Sequence, residues 1–194
     1  ISRDLHDNIG AQLTFIISSI ENLQFGFNIT NNKLTNKLTS ISQFTKETIY
    51  ELRDTIWAMN KSAISLEDLQ ARISNFVENA NNASNTTSFE FILDPKLPMD
   101  TVFTSVQGMN LYRIIQEAIN NAMKYAEANT IKVTIKQQEN TLQFAVVDDG
   151  KGFDETTVEY GNGLNNIKKR AHDIGATCTL ESALNKGTAI VVTL

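Results

Sequence analysis

The sequence predicts an α+β chain in two parts, an N-terminal antiparallel helical hairpin followed by a mixed helix–strand domain. Three observations predict it. Glycine is absent between Gly26 and Gly108, whereas six of the nine glycines follow Asp149. A front without breakers suits long helices, and a glycine-punctuated tail suits short elements joined by turns. Apolar residues recur every three or four positions from Leu5 to Phe27 and again from Leu34 to Met59, the spacing of one helix face. Beyond residue 63, helical patterns alternate with runs of period two, as in α+β domains.

In the first stripe Leu5, Ile9, Leu13, Ile16, Ile20, Leu23 and Phe27 line one narrow face of a helix of about six turns. Gly26 and the asparagines of the stretch 28–32 end it. The second stripe is Leu34, Leu38, Ile41, Leu52, Ile56 and Met59, with Thr45 and Thr48 in the seam and Phe44 and Ile49 widening it. Two helices joined by a short loop lie antiparallel. Their stripes are too extensive for one hairpin to bury, so two copies forming a four-helix bundle are expected, and with them a homodimer. The alternative is a hairpin folded back on the rest of its own chain.

The chain restarts after residues 60–64. Ser65 with Asp68 approximates a capping box, and Leu66, Leu69, Ile73, Phe76, Val77 and Ala80 give an amphipathic helix. Residues 81–88 read as a loop, 89–93 as a strand, and Asp94 to Pro98 as a turn. A helix is expected at about 109–126, and strands at about 130–137 and 141–148 around a turn at 138–140. A glycine-rich loop at 149–162 leads into a helix ending near Ile174, and strands at 176–182 and 188–194 close the chain. The strands should form one largely antiparallel sheet with helices on one face. The expected domains are 1–62 and 63–194.

Composition excludes several function classes. Hydrophobic residues are 41% and charged residues 20% of the 194, the balance of a soluble globular chain. A net charge of −5 and a pI near 5.1 argue against nucleic acid as a partner. No apolar run approaches the roughly 18 residues of a membrane span, and no signal peptide opens the chain. Cys178 is the only cysteine, so neither an internal disulfide nor a Cys/His zinc site is available, and a reducing cytosol is the expected compartment. The chain opens at Ile1 inside a helical pattern, which reads as a fragment of a longer protein.

Three segments of the second part carry chemistry. In the helix, Glu117, Asn121 and Lys124 fall at i, i+4 and i+7, so a carboxylate, an amide and an ammonium share one face. Such a set can arrange a metal ion and a phosphate, or simply be a solvated polar face. In Val146-Val147-Asp148-Asp149-Gly150-Lys151-Gly152 an apolar strand ends in an acid followed by paired glycines, which let backbone approach a ligand closely. A buried carboxylate there can accept from an exocyclic amine, although Asp-Gly turns are common. Gly161-Asn162-Gly163-Leu164 opens a helix, whose N-terminal N–H groups form an anion site.

In this order, and with Lys186-Gly187-Thr188 on the last strand pair, the set resembles the nucleotide-binding domain of sensor histidine kinases. That domain has the Bergerat-type ATP-binding fold, an α/β sandwich shared with gyrase B and MutL, and the resemblance covers about residues 66–194. It implies ATP and Mg²⁺ as cofactors. It implies that Asn121 coordinates the magnesium, that Asp148 accepts from the adenine amino group, and that Thr188 supports it. By the same resemblance Lys124 lies near the phosphates, Tyr125 near the base, and Leu164 in the nucleotide site. Gly150, Gly152, Gly161 and Gly163 shape a flexible lid. Glu117 stands where related ATPases keep a water-activating glutamate; in the kinases it helps position phosphate and metal.

Arg3-Asp4-Leu5-His6-Asp7-Asn8-Ile9-Gly10-Ala11-Gln12 resembles the phosphoacceptor box of the kinase subfamily that carries His-Asp together. At 100° per residue His6 lies about 60° from the centre of the apolar stripe, on the shoulder of the bundle. The resemblance implies phosphorylation of His6, with Asp7 taking the other ring nitrogen's proton, and transfer to the receiver domain of a response regulator. It also implies a membrane-linked full-length protein whose sensor region lies outside this chain. His172, on a polar helix, has no assigned role. One departure is specific: the glutamine this subfamily commonly keeps five residues after the histidine is Ala11 here, with Gln12 one position late. Weak or absent phosphatase activity is therefore expected. The competing functions are a Bergerat-fold ATPase with Glu117 as base, and a nucleotide-binding dimer scaffold without catalysis.

Overall fold

The structure is a computed structural model that describes residues 2–27, 29–59, 61–154 and 162–194, with the backbone alone for residues 2–7, 47, 59 and 162. It divides into two compact units, residues 1–62 and 63–194.

The first unit is helix α1 (Ser2–Gly26) and helix α2 (Asn32–Met59). Asn31 starts α2: its Oδ1 accepts from the N–H groups of Lys33 (3.0 Å) and Leu34 (3.2 Å), satisfying two donors that have no intrahelical partner. The helices run antiparallel, since Gln24 Nε2 donates to Thr39 Oγ1 at 3.1 Å and Glu21 pairs with Lys46 at 3.6 Å. Ile20, Ser42, Thr45, Ile56 and Ala58 are buried. Thr45 tolerates burial because its hydroxyl donates to the Ile41 carbonyl. Much of the apolar stripe is left open: Phe27 is 74% and Phe44 69% exposed, and Ile16, Leu23, Leu34 and Ile41 are all exposed.

The second unit runs β1 (Ala63–Ser65), α3 (Leu66–Ala83), β2 (Ser88–Leu93), β3 (Val102–Thr104), α4 (Ser105–Asn121), a π-turn (Ala122–Ala126), β4 (Thr130–Gln138), β5 (Thr141–Asp148), α5 (Asn162–Asp173), β6 (Thr177–Ser182) and β7 (Thr188–Thr193). Five strands form one sheet in the order β2-β4-β5-β7-β6. Alternate residues on one face are buried, among them Ile131, Val133, Ile135, Leu142, Phe144, Val146, Ile190 and Val192. Against them pack Leu69, Ile73 and Val77 of α3, Leu111, Ile115 and Ile119 of α4, and Ile167 and Ala171 of α5, all buried. The domain is thus a two-layer α+β sandwich with its helices on one face.

The sheet is largely antiparallel, as expected: only β2 pairs in parallel, with β4, because the chain between them crosses over through α4. Three expectations are corrected. A second, two-stranded sheet joins β1 to β3, three residues each, too short to show a period in sequence. Helix α3 continues to Ala83, into the polar run read as loop, and Asn81 Oδ1 accepts from Phe89 N. Helix α4 starts at Ser105 rather than Met109, set by a full capping box between Thr104 and Gln107. The Ser65 cap forms as expected, its hydroxyl accepting from Asp68 N at 3.1 Å.

Candidate functional site

At the C-terminal ends of α4 and β5 a cleft of about 530 Å³ opens, lined by Glu117, Asn121, Lys124, Tyr125, Asp148, Gly152, Phe153, Gly163, Leu164 and Thr188 over an apolar floor of Val146 and Ile190. Nine expected site residues therefore meet in one place from four separate stretches of chain. Gly150 lies just behind the lining, buried against Ala126. Gly161 falls outside the described residues. His6 and Asp7 belong to α1, and their side chains are likewise outside them.

Asp148 is the buried acid of the cleft, 6% exposed at the end of β5. Its Oδ1 accepts from Gly150 N at 2.9 Å and from Thr188 N at 3.3 Å. Burial pushes its carboxyl above the ordinary 3.8, an effect the two N–H donors oppose and neighbouring Asp149 adds to. Asp149 itself is structural: its Oδ1 accepts from Asn129 N and Thr130 N at 2.8 and 2.9 Å, pinning the start of β4.

The strand pair beyond Asp148 fits it tightly. Gly187 has φ +73°, and a Cβ there would collide with the Asp148 carbonyl oxygen. Any side chain would push β7, and Thr188 with it, off the acid. Ser182, opposite Thr188 in the β6–β7 register, accepts from Phe153 N at 3.0 Å, donates to the Gly187 carbonyl at 3.0 Å, and lies 3.1 Å from Thr188 Oγ1.

Across the cleft, α4 passes into the π-turn, which carries Lys124 and Tyr125. Lys124 departs from plain α-helical spacing there, yet it lines the same cleft as Glu117 and Asn121. Glu127 closes the turn in a left-handed conformation, φ +53°. The Lys151 ammonium, hydrogen-bonded to Glu127 at 2.6 Å, holds that carboxyl below its usual range. Lys151 N donates to Ala126 O at 2.8 Å, so the π-turn and the Asp148 loop are stitched together.

The first turn of α5 completes the wall. A Cβ on Gly163 would meet Glu117 Oε1, the far end of a flexible side chain, and crowd the Asn121 amide, so the start of α5 approaches both side chains closely. Arg170 Nη1 donates to Asn110 Oδ1 at 3.0 Å and fastens α5 to α4. Asn121 Nδ2 is buried with no partner, an arrangement that costs about 1–3 kcal/mol unless something else fills it. Sequence reasoning missed Ser182, Phe153 and Lys151. Only the β6–β7 register reveals Ser182; Phe153 and Lys151 stood beside the paired glycines and could have been flagged.

Two family models match. Residues 1–64 match "Histidine kinase", and residues 106–194 match "Histidine kinase-, DNA gyrase B-, and HSP90-like ATPase". The sensor histidine kinase YxjM of Bacillus subtilis (strain 168) is 26% identical over 196 residues, covering 100% of this chain and 46% of that protein. The chain spans less than half the length of the curated relatives it matches first. The fold resembles the histidine kinase domain of the Erythrobacter litoralis EL346 blue-light activated histidine kinase, with TM-score 0.63, 14% identity and coverage of 95% of this chain and 94% of that one. It also resembles full-length ShkA in complex with AMPPNP, with TM-score 0.60, 14% identity and coverage of 99% and 44%.

Proposed function

The chain belongs to the histidine kinases of two-component systems, and we propose that it phosphorylates its own His6 from ATP and passes the phosphoryl group to an aspartate of a response-regulator receiver domain. The observation that carries the nucleotide site is the cleft itself. It joins a buried acceptor-only carboxylate, an ammonium, a glycine-opened helix N-terminus and an amide with an unpartnered buried nitrogen. The adenine amino group would donate to Asp148, and the phosphates would lie toward Lys124 and the α5 N-terminus, where N–H groups favour anions.

The donor set fits magnesium. A half-turn of the Asn121 amide, unrestrained at Nδ2, presents its oxygen to a cation. When bound, the ion would neutralise triphosphate charge and polarise the γ-phosphoryl group. A neutral ring nitrogen of His6 attacks the γ-phosphorus; the bond to the β–γ bridging oxygen breaks and ADP leaves. Asp7 takes the proton from the other ring nitrogen. Positioning and charge neutralisation supply most of the catalysis in such transfers.

The open apolar stripe of the hairpin supports a homodimer through a four-helix bundle, since Ile16, Leu23, Leu34, Ile41 and Phe44 would otherwise face water. Among the described residues no helix is long and apolar enough to cross a membrane. We place this fragment on the cytoplasmic side, where ATP and receiver domains are, with membrane linkage through the sensor region of the full-length protein.

The test is incubation with γ-labelled ATP and Mg²⁺. Acid-labile, alkali-stable label on the protein is the expected result; free phosphate without a protein adduct would instead support an ATPase with Glu117 as base.

Two further outcomes are expected. With ADP and Mg²⁺ the fragment should leave its phosphorylated regulator intact. Ala11 offers no side chain to orient water, and Gln12 is exposed, bonded back to Asn8 Oδ1 at 2.9 Å. Ala11→Gln should speed dephosphorylation at least about tenfold; rapid dephosphorylation by the wild type would sink the idea. Secondly, ATP affinity should fall on acidification, starting at a higher pH than an ordinary carboxylate would cause, because protonated Asp148 no longer accepts. The Asp148 contribution to stability of the nucleotide-free domain runs the other way. Its raised value means folding disfavours the ionised form, so that contribution is present at low pH and lost as pH rises through it. Calorimetric titrations across pH, with Asp148→Asn as the flat control, measure the difference.

A further inference from the structure

We propose that Ile64 and Gly108 form a keyed joint that fixes how the chain enters the second unit, and that both are positioning residues for phosphorylation of His6 without belonging to the nucleotide site. The inference rests on His6 being the phosphoacceptor.

Ile64 is the central residue of β1, the first element after the hairpin unit, and is fully buried, 0% exposed. Its side chain sits on Gly108, near the start of α4 and also buried. A Cβ built on Gly108 would lie 2.7 Å from Ile64 Cδ1, 2.9 Å from its Cβ and 3.0 Å from its Cγ2. Glycine is among the poorest helix formers, so α4 gives up helix stability here and gains a socket. Turning the Ile64 side chain relieves the Cδ1 contact. It does not relieve the Cβ contact, because that atom is fixed to the β1 backbone.

β1 has little room to move away. It pairs with β3, Ile64 opposite Phe103, and just beyond it Leu66 N donates to Thr101 O at 2.8 Å and Glu67 N to Met99 O at 3.3 Å. β3 runs directly into α4 through the Thr104–Gln107 capping box. The entering strand, its partner and the helix are therefore tied together, and the other end of α4 carries Glu117 and Asn121 to the cleft. A chain that enters in this way follows one path, set against the helix that lines the cleft, rather than a free tether. Phosphoryl transfer to a residue of α1 depends on that path, since a misplacement of about 1 Å can cost on the order of 10²-fold in rate. Nucleotide binding depends only on groups within the second unit.

The test uses the 194-residue chain and two measurements. One is affinity for AMPPNP by calorimetric titration; the other is the rate of label uptake on His6 at saturating γ-labelled ATP. Gly108→Ala should bind the analogue within about twofold of wild type and take up label about three- to tenfold more slowly. Ile64→Val, which removes Cδ1 and loosens the joint, should slow uptake in the same direction by less. The double variant Gly108→Ala/Ile64→Val moves one methyl group across the joint at constant volume. It should recover most of the wild-type rate, which two independent effects would not do. A purely structural fault would lower the thermal midpoint and the fraction of chain that binds, and leave the rate per bound nucleotide alone. Should Gly108→Ala not fold, Ile64→Val decides by the same two readings.

An unchanged or raised rate in folded Gly108→Ala would overturn the joint, as would a loss of nucleotide affinity in step with the rate. A double variant as slow as the sum of its parts would do the same. A wild type that binds the analogue but takes up no label would remove His6 as phosphoacceptor, and the proposal with it.

Discussion

His6→Gln is expected to remove every trace of acid-labile label from the protein while leaving ATP binding unchanged. The phosphoryl group needs a ring nitrogen that is neutral and nucleophilic near pH 7, and among side chains imidazole alone has that property unperturbed. Glutamine is a good helix former of similar length, so the N-terminal turns of α1 lose little by the exchange. The amide cannot accept a stable phosphoryl group, so the loss should be complete rather than partial. Asp7→Asn tests the proton's destination in the same assay. If Asp7 acts as general base, label should accumulate about 10²–10⁴ times more slowly, with the final bond chemistry unchanged. Label that persists at full level in His6→Gln would place the acceptor elsewhere.

The second large effect is expected at Asp148. Asparagine there can still accept from Gly150 N and Thr188 N through its amide oxygen, so the loop between β5 and Lys151 should hold its shape. Its amide nitrogen then faces the cleft, donor against donor, where the adenine amine must bind. Losing a charge-assisted bond costs about 1.5–3 kcal/mol, which is roughly 10- to 150-fold in ATP affinity. A change of twofold or less, with the thermal midpoint of the free chain unaltered, would show that Asp148 does not read the base. Removing a carboxyl whose ionised form is disfavoured by burial should not itself destabilise the free domain, so unfolding is not expected to confuse the result.

The parts of the molecule that were legible in the sequence are those governed by a local period or a short motif. Helices α1 and α2 follow from 3–4 spacing, β4 and β5 from alternation around a polar turn, and the Ser65 cap from one residue pair. Nine expected site residues line a single cleft because the motifs sit at the ends of α4, β5 and α5, and ends of elements are where a two-layer sandwich opens. The illegible parts are non-local. The parallel pairing of β2 with β4 depends on how α4 crosses over. The β1–β3 pair exists only because two short segments 40 residues apart are brought together. The π-turn adds one residue to a helix whose sequence reads as ordinary α.

By itself, then, the sequence determined the two-part architecture, the helical stripes of α1 and α2 and the order of the polar residues and glycines that gather at the cleft. Each is a consequence of spacing along the chain. Only the tertiary structure decided which donor meets which acceptor. Asp148 lines the cleft while Asp149 next to it pins β4, because successive residues at a strand end face opposite ways. Gly187 must lack a side chain because the Asp148 carbonyl occupies that space. Ser182 meets the Thr188 hydroxyl at 3.1 Å because β6 and β7 place them opposite each other. Hydrogen-bond partnership is set by neighbours distant in sequence, and the linear chain does not carry that information.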